Sequence, residues 1–136
     1  MHTSRVQYQG QLRTLALHLQ SNSEVITDAP LDNHGKGEAF SPTDLVATAL
    51  ASCMMTIMGI KANDMNIDLS NTTAEVTKHM STTPRRISEI VVTVSMNKNF
   101  DSKTRKILEA AALTCPVGQS LHSETKQTIN FIYPKL

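Results

Sequence analysis

Residues 41–65 decide the fold, and they read SPTDLVATALASCMMTIMGIKANDM. Ser41, Pro42 and Asp44 supply an N-cap, a first-turn proline and an acidic third helical residue, a capping-box variant that contributes about 1 kcal/mol. The rest of the stretch carries apolar residues nearly all round the helical wheel, which is typical of a helix buried on most of its faces. The sequence therefore predicts a long helix at the centre of the molecule.

Segments with a strand-like alternation flank this helix on both sides. Before the helix, the pattern predicts strands over Val6 to Leu19, broken at Gly10, and over Glu24 to Asp28. After it, the pattern predicts a hairpin of two strands, Ile67–Met80 and Arg85–Met96. A helix that begins at Asp101 and includes Cys115 should follow, and then a short helix from Pro116 to Leu121. The last predicted element is a strand over Gln127–Tyr133. This order predicts one α+β domain over residues 1–136, with a mainly antiparallel sheet folded around the central helix.

The composition narrows the classes of partner. Of 136 residues, 40% are apolar but only 4% are aromatic, so aliphatic and Met side chains must fill the core, part of which we expect at a subunit interface. The formal net charge of +1 and the absence of a long basic run argue against nucleic acid or an anionic membrane as partners. Because no stretch of 18 apolar residues and no signal-like N-terminus occur, we expect a cytoplasmic protein.

The two cysteines, Cys53 and Cys115, carry the best indication of chemistry. Outside a C-x-x-C spacing in a reducing cytosol, they are more naturally a transient redox pair or two inert thiols than a structural disulfide or a zinc site. We expect no metal. Cys53 lies in the apolar, Met-rich part of the central helix and is expected to be buried. If Pro116 begins a helix, its free N–H groups face the sulfur of Cys115 and favour a thiolate.

Cys53 needs help from elsewhere in the fold if it is to react as a thiolate. It lies about three turns into its helix, too far from the helix start. Arg13 shares one strand face with Leu15, Leu17 and Leu19, and an inward-facing Arg must find an anion, so it is the candidate cation. Two structural interpretations stay open: Cys53 and Cys115 as small core residues, and Arg13 reaching water along its aliphatic stem.

The sequence resembles the OsmC/Ohr family, the osmotically induced and organic hydroperoxide resistance proteins. The resemblance runs over nearly the whole chain. It rests on four stretches: Thr27-Asp28-Ala29-Pro30, residues 35–45 (GKGEAFSPTDL), Ala49-Leu50-Ala51-Ser52-Cys53-Met54 and Thr114-Cys115-Pro116-Val117. It implies an OsmC-like fold in which sheets from two subunits wrap around long central helices, forming an intertwined homodimer with active sites at the subunit interface.

The resemblance also implies thiol-dependent reduction of organic hydroperoxides, in defence against oxidative stress. Cys53 matches the family's peroxidatic cysteine and Cys115 its resolving cysteine, while Arg13 matches the arginine that keeps the first thiolate ionised. Cys53 would become a sulfenic acid that Cys115 converts to a disulfide, and an external dithiol would reset the pair without a bound cofactor. A pocket lined by Met and Leu would favour organic hydroperoxides over hydrogen peroxide, because only an organic tail gains from apolar burial.

One position departs from the family pattern. Characterised members place a Glu just after the proline at the helix start, as a partner of the arginine, and this chain has Thr43 there. Asp44 of a partner subunit or Glu38 of the loop are the acids that could take its place. The departure favours one alternative, a non-enzymatic protein that binds an apolar ligand. A thiol redox sensor on the same fold is a second alternative.

Overall fold

The computed structural model describes residues 1–135, which contain two three-stranded sheets and three α-helices. Residues up to Val46 form one compact unit, and the chain from Ala47 onward forms a second. The α+β class is therefore confirmed. The boundary between the two units falls inside the first α-helix. The assignment of a single domain stays a prediction.

The first unit is built on an antiparallel sheet. Its strands are β1 (Ser4–Gly10), β2 (Arg13–His18) and β3 (Glu24–Asp28), in the order β1-β2-β3. Gly10 has a φ of 85°, which a residue without Cβ adopts without strain where the chain leaves β1. In the β2–β3 register, Arg13 lies directly opposite Asp28. This pairing brings a cation and an anion together at the end of the sheet.

The long helix α1 (Pro42–Asp64) begins as predicted. The Oγ of Ser41 accepts the N–H of Asp44 at 3.0 Å, and the carboxylate of Asp44 accepts the N–H of Ser41 at 2.9 Å. These two bonds form a reciprocal capping box that satisfies backbone donors at the helix start. With 23 residues and a mean hydropathy of 1.6 in its most apolar part, α1 is long and apolar enough to cross a bilayer, although the core helix of a soluble protein meets the same criterion.

The second unit holds the hydrophobic core. Strands β4 (Thr73–Thr82) and β5 (Arg85–Ser95) pair antiparallel, and β6 (Lys126–Ile132) pairs parallel with β5. Helices α2 (Ser102–Ala112) and α3 (Pro116–Ser120) connect β5 to β6. The core residues come from α1, from β5 and the residue after it, from α2 and from the residue before α3. They are Ala47, Leu50, Ala51, Met54, Met58, Ala62, Ile90, Val92, Val94, Met96, Leu108, Ala112 and Cys115.

Two predicted elements differ from the structure. The strand expected from Ile67 begins only at Thr73, because Asn66 and Asn71 adopt positive φ angles of 57° and 75° that break an extended backbone. Cys115, expected inside the second helix, lies beyond the end of α2. A residue that precedes proline is excluded from the helical region, and Cys115 accordingly has an extended conformation, with φ −61° and ψ 140°.

Candidate active site

The two cysteines lie close together in the second unit. Cys53 projects from the middle of α1 and is half-buried, while Cys115 immediately precedes α3 and is only 2% exposed. Their side chains are within hydrogen-bonding reach of one another. The expectation that Cys53 would be the buried thiol was wrong: it lies towards the edge of the buried face of α1, and Cys115 belongs to the core.

The sulfur of Cys115 caps helix α3. It accepts the backbone N–H of Gly118 at 3.3 Å, as the predicted helix after Pro116 requires. Burial is the largest influence on the pKa of Cys115 and raises it, and the interaction with Cys53 raises it as well. The N–H groups of Gly118 and Val117 lower the pKa, but the net change is a rise. The predicted cap is confirmed, but the expected net fall in the pKa of Cys115 was wrong. Cys115 therefore keeps its proton at neutral pH.

Gly118 is a further residue of this site that no sequence pattern indicated. A Cβ at this position would lie 3.3 Å from the sulfur of Cys115 and 3.0 Å from the side-chain oxygen of Gln127. The Gln127 amide also donates to the Gly118 carbonyl at 3.0 Å. The first turn of α3 is therefore tied to β6 and closely packed against the sulfur.

Arg13 forms an ion pair in the first unit. Its Nε and one Nη donate to the two carboxylate oxygens of Asp28 at 2.7 and 2.8 Å, a bidentate arrangement, and Asp28 is only 1% exposed. The N–H of Glu38 donates to the same carboxylate at 3.2 Å. The hydrogen bond from Arg13, followed by its charge, outweighs burial and lowers the pKa of Asp28, and the same partner raises the pKa of Arg13.

The two acids expected beside Arg13, Glu38 and Asp44, differ in their contacts. The carboxylate of Glu38 lies 3.9 Å from Arg13 Nη2 and is mostly exposed, so it is a secondary partner. Asp44 takes part in the capping box of α1. Asp28, which was not among the predicted acids, is the main partner of Arg13. The β2–β3 register centres the hairpin between residues 20 and 21 and pairs Arg13 with Asp28, whereas a hairpin centred on the predicted turn at residues 21–23 would pair Arg13 with Leu31.

The comparisons with known proteins agree with this architecture. A model of the OsmC-like protein family matches residues 35–130. The chain belongs to the OsmC-like family. No curated protein matches the sequence. A solved structure from Psychrobacter arcticus 273-4, provisionally described as an osmotic stress induced and detoxification response protein, is 61% identical, with a TM-score of 0.94 over 96% of both chains.

More distant structures share the OsmC-like fold. An organic hydroperoxide resistance protein OsmC of Legionella pneumophila is 16% identical, with a TM-score of 0.71 over 97% of this chain and 98% of that one. The organic hydroperoxide resistance protein OhrB of Bacillus subtilis is also 16% identical, with a TM-score of 0.68 over 96% and 98% of the two chains. At this identity the likeness establishes the fold.

The ion pair predicts a dependence of stability on pH. Because folding lowers the pKa of Asp28 below its ordinary value of 3.8, the stabilisation is present above that value and is lost as pH falls through the folded-state pKa. Asp28→Asn should be less stable than wild type at pH 7, and the difference should shrink at about pH 3. Urea unfolding at both pH values measures the free energy of unfolding of each protein. Glu24→Gln, which removes an exposed carboxylate from the same strand, is the control. A difference that does not change with pH would contradict the ion-pair account.

Proposed function

We propose that this OsmC-like protein is a thiol-dependent peroxidase that reduces organic hydroperoxides in the cytoplasm, as a defence against oxidative stress. The observation that carries the proposal is the contact between Cys53 and Cys115, one half-exposed and the other buried and capped by α3. Membership of the family supports a role in stress defence. The names of the Psychrobacter, Legionella and Bacillus proteins, which refer to detoxification or organic hydroperoxide resistance, point the same way.

The proposed reaction divides the chemistry between the two sulfurs. The Cys53 thiolate attacks a peroxide oxygen, forming an S–O bond while the O–O bond breaks, and the leaving alkoxide takes a proton and departs as an alcohol. The thiol of Cys115 then attacks the Cys53 sulfenic acid, forming the disulfide and releasing water. A raised pKa of Cys115 suits this order, because Cys115 stays protonated and does not add a second negative charge beside Cys53. An external dithiol returns both residues to thiols.

Arg13 is the proposed cation for the Cys53 thiolate. Its bidentate pairing with the buried Asp28 supports this assignment, because two hydrogen bonds fix the plane of the guanidinium and leave other N–H groups for an anion. Asp28, assisted by Glu38, then supplies the carboxylate that the family places just after the helix-start proline, where this chain has Thr43. The proposed reaction therefore does not depend on an acid at position 43.

Variants of the two cysteines test the reaction. Cys53→Ser should abolish turnover of cumene hydroperoxide with a dithiol reductant, because the attacking sulfur is lost. Cys115→Ser should still consume one equivalent of peroxide and stop at a sulfenic acid that dimedone traps on Cys53. Wild type should have a higher kcat/KM for cumene hydroperoxide than for hydrogen peroxide. Full activity of Cys53→Ser, or an equal or higher kcat/KM for hydrogen peroxide, would contradict this assignment.

An apolar groove favours ligand binding as a second candidate function. It measures about 450 Å³, lies along α1 and β4, and is lined by Thr48, Ala51, Ser52, Met55, Thr56, Ala74 and Val76. An apolar ligand could gain about 25 cal/mol for each Å² that it buries there. Under this hypothesis both thiols are inert and Cys53→Ser is fully functional. Under the third hypothesis, a redox sensor, wild type forms one disulfide quickly but turns over slowly.

We also propose that the protein acts as a homodimer. Every residue from Ser4 to Gln9 of β1 is exposed, including Val6 at 61% and Tyr8 at 63%. A sheet of three strands with exposed apolar side chains needs a further surface to cover it. The family resemblance supports a second copy of the chain as that surface, with the active sites at the interface.

A substitution in β1 tests the proposed dimer. Val6→Asp places a charge on the exposed apolar face, so the variant should contain more monomer than wild type does at the same concentration. Sedimentation equilibrium measures the two masses. Gln7→Asp is the matched control, since it introduces the same charge one position along, on the other face of β1, and should leave the mass unchanged. A wild-type protein that sediments as a monomer at micromolar concentration would refute the dimer.

A further inference from the structure

We infer that the external dithiol resets the oxidised protein by attacking the sulfur of Cys53 and expelling Cys115, so that the mixed disulfide with the reductant forms on Cys53. This inference rests on the proposed function, since it concerns the disulfide that the peroxidase reaction produces. In the reductive half of the cycle, Cys53 is thus the sulfur that is attacked and Cys115 the sulfur that is expelled. The two sulfurs differ in how open they are to solvent.

Thiol–disulfide exchange requires the attacking sulfur to approach one of the two bonded sulfurs, in line with the bond that breaks. Cys53 is half-buried and leaves part of its side chain open to solvent, whereas Cys115 is 2% exposed. Within one copy of the chain, a reductant from solution can therefore reach Cys53 without moving the core. Reaching Cys115 would require an opening between α1 and α3.

Helix α3 covers the sulfur of Cys115. The N–H of Gly118 lies 3.3 Å from that sulfur, and a Cβ on Gly118 would lie 3.5 Å from the side chain of Leu50 on α1. The bond from the Gln127 amide to the Gly118 carbonyl, at 3.0 Å, holds this turn against β6. No group as large as a thiol fits between these atoms unless α3 moves.

Helix α3 also supplies a hydrogen-bond donor to the sulfur that is expelled. When the S–S bond breaks, its electron pair stays on Cys115, and the N–H groups of Gly118 and Val117 point at the sulfur that receives it. The expelled thiolate then takes a proton, in keeping with the raised pKa of Cys115. The second thiol of the reductant attacks its own sulfur in the mixed disulfide, which releases Cys53 as a thiolate and leaves the reductant as a disulfide.

Mapping a trapped mixed disulfide tests the inference. Diamide would form the intramolecular disulfide in the full-length wild-type protein, independently of any peroxide. One equivalent of glutathione, a monothiol probe that cannot complete the second step, would follow. After an acid quench and alkylation with N-ethylmaleimide, tryptic peptides 37–61 and 107–126 report separately on Cys53 and Cys115. We expect glutathione on Cys53 with about tenfold preference or more, as unequal access to the two sulfurs requires.

A matched pair of variants and a denatured control establish the cause of the preference. Gln127→Ala loosens the turn over the sulfur and should raise the share of glutathione on Cys115. Gln119→Ala, an exposed residue on the same helix, should leave the distribution as in wild type. In concentrated urea both sulfurs are accessible, and the preference should fall to about onefold.

Several results would overturn the inference: glutathione on Cys115, an equal distribution in the folded protein, or two thiols that diamide cannot join. Failure of the proposed function is a separate result. If cumene hydroperoxide leaves both thiols reduced while diamide joins them, the peroxidase reaction is refuted. The position of glutathione on the diamide-made disulfide still decides this inference.

Discussion

Burial of one face of α1 is the constraint on which the cysteine site depends. Leu50, Met54 and Met58 recur at helical spacing, are almost fully buried, and belong to the same core as β5 and α2. This packing fixes the rotation of α1 about its axis. Since Cys53 is one turn from Leu50, the same rotation brings Cys53 to the edge of the core beside Cys115, leaving part of it exposed. The packing of α1 in the core thus places the sulfur of Cys53 next to that of Cys115.

The site illustrates how burial and hydrogen bonding compete at a cysteine. A helix start favours the thiolate, yet the Cys115 sulfur lies in the core, where desolvation favours the neutral thiol, and desolvation is the larger effect. The outcome suits a resolving cysteine, which must stay a thiol until Cys53 has been oxidised. The balance between burial and hydrogen bonding goes the other way at Asp28, which is as deeply buried as Cys115. There the two hydrogen bonds from Arg13 outweigh the cost of burying the carboxylate, and the pKa falls.

Local signals predicted the fold well. The capping residues of α1, the bounds of β3 and the Asp101 cap of α2 all follow from short-range chemistry, and the structure has each of them. The false strand at residues 67–72 arose because Ile67 and Leu69 alternate with polar residues while lying in a loop. There the Asn97 side chain, rather than a neighbouring strand, donates to the Asp68 and Ser70 carbonyls. An alternation of apolar and polar residues indicates which side chains are buried, but it does not show that the backbone is hydrogen-bonded to another strand.

The site was predictable in type but less so in detail. Two cysteines and a family pattern indicated the redox pair, and the spacing of Pro116 indicated the cap. The relative exposure of the two sulfurs could not be predicted, because it depends on how deeply α1 and α3 sit in the core. Asp28 was not predicted as the partner of Arg13, because their pairing depends on the exact register of β2 and β3. The cross-strand neighbour, in the direct register of β2 and β3, was the nearest anion.

The most direct test of the central claim is the mass of the reduced protein after one equivalent of cumene hydroperoxide, with free thiols counted and the peptides mapped. The account predicts rapid loss of both thiols and one intramolecular bond between Cys53 and Cys115, two hydrogen atoms lighter than the reduced protein. Two thiols that survive the peroxide, or a stable sulfenic acid on Cys53 that never joins Cys115, would contradict it.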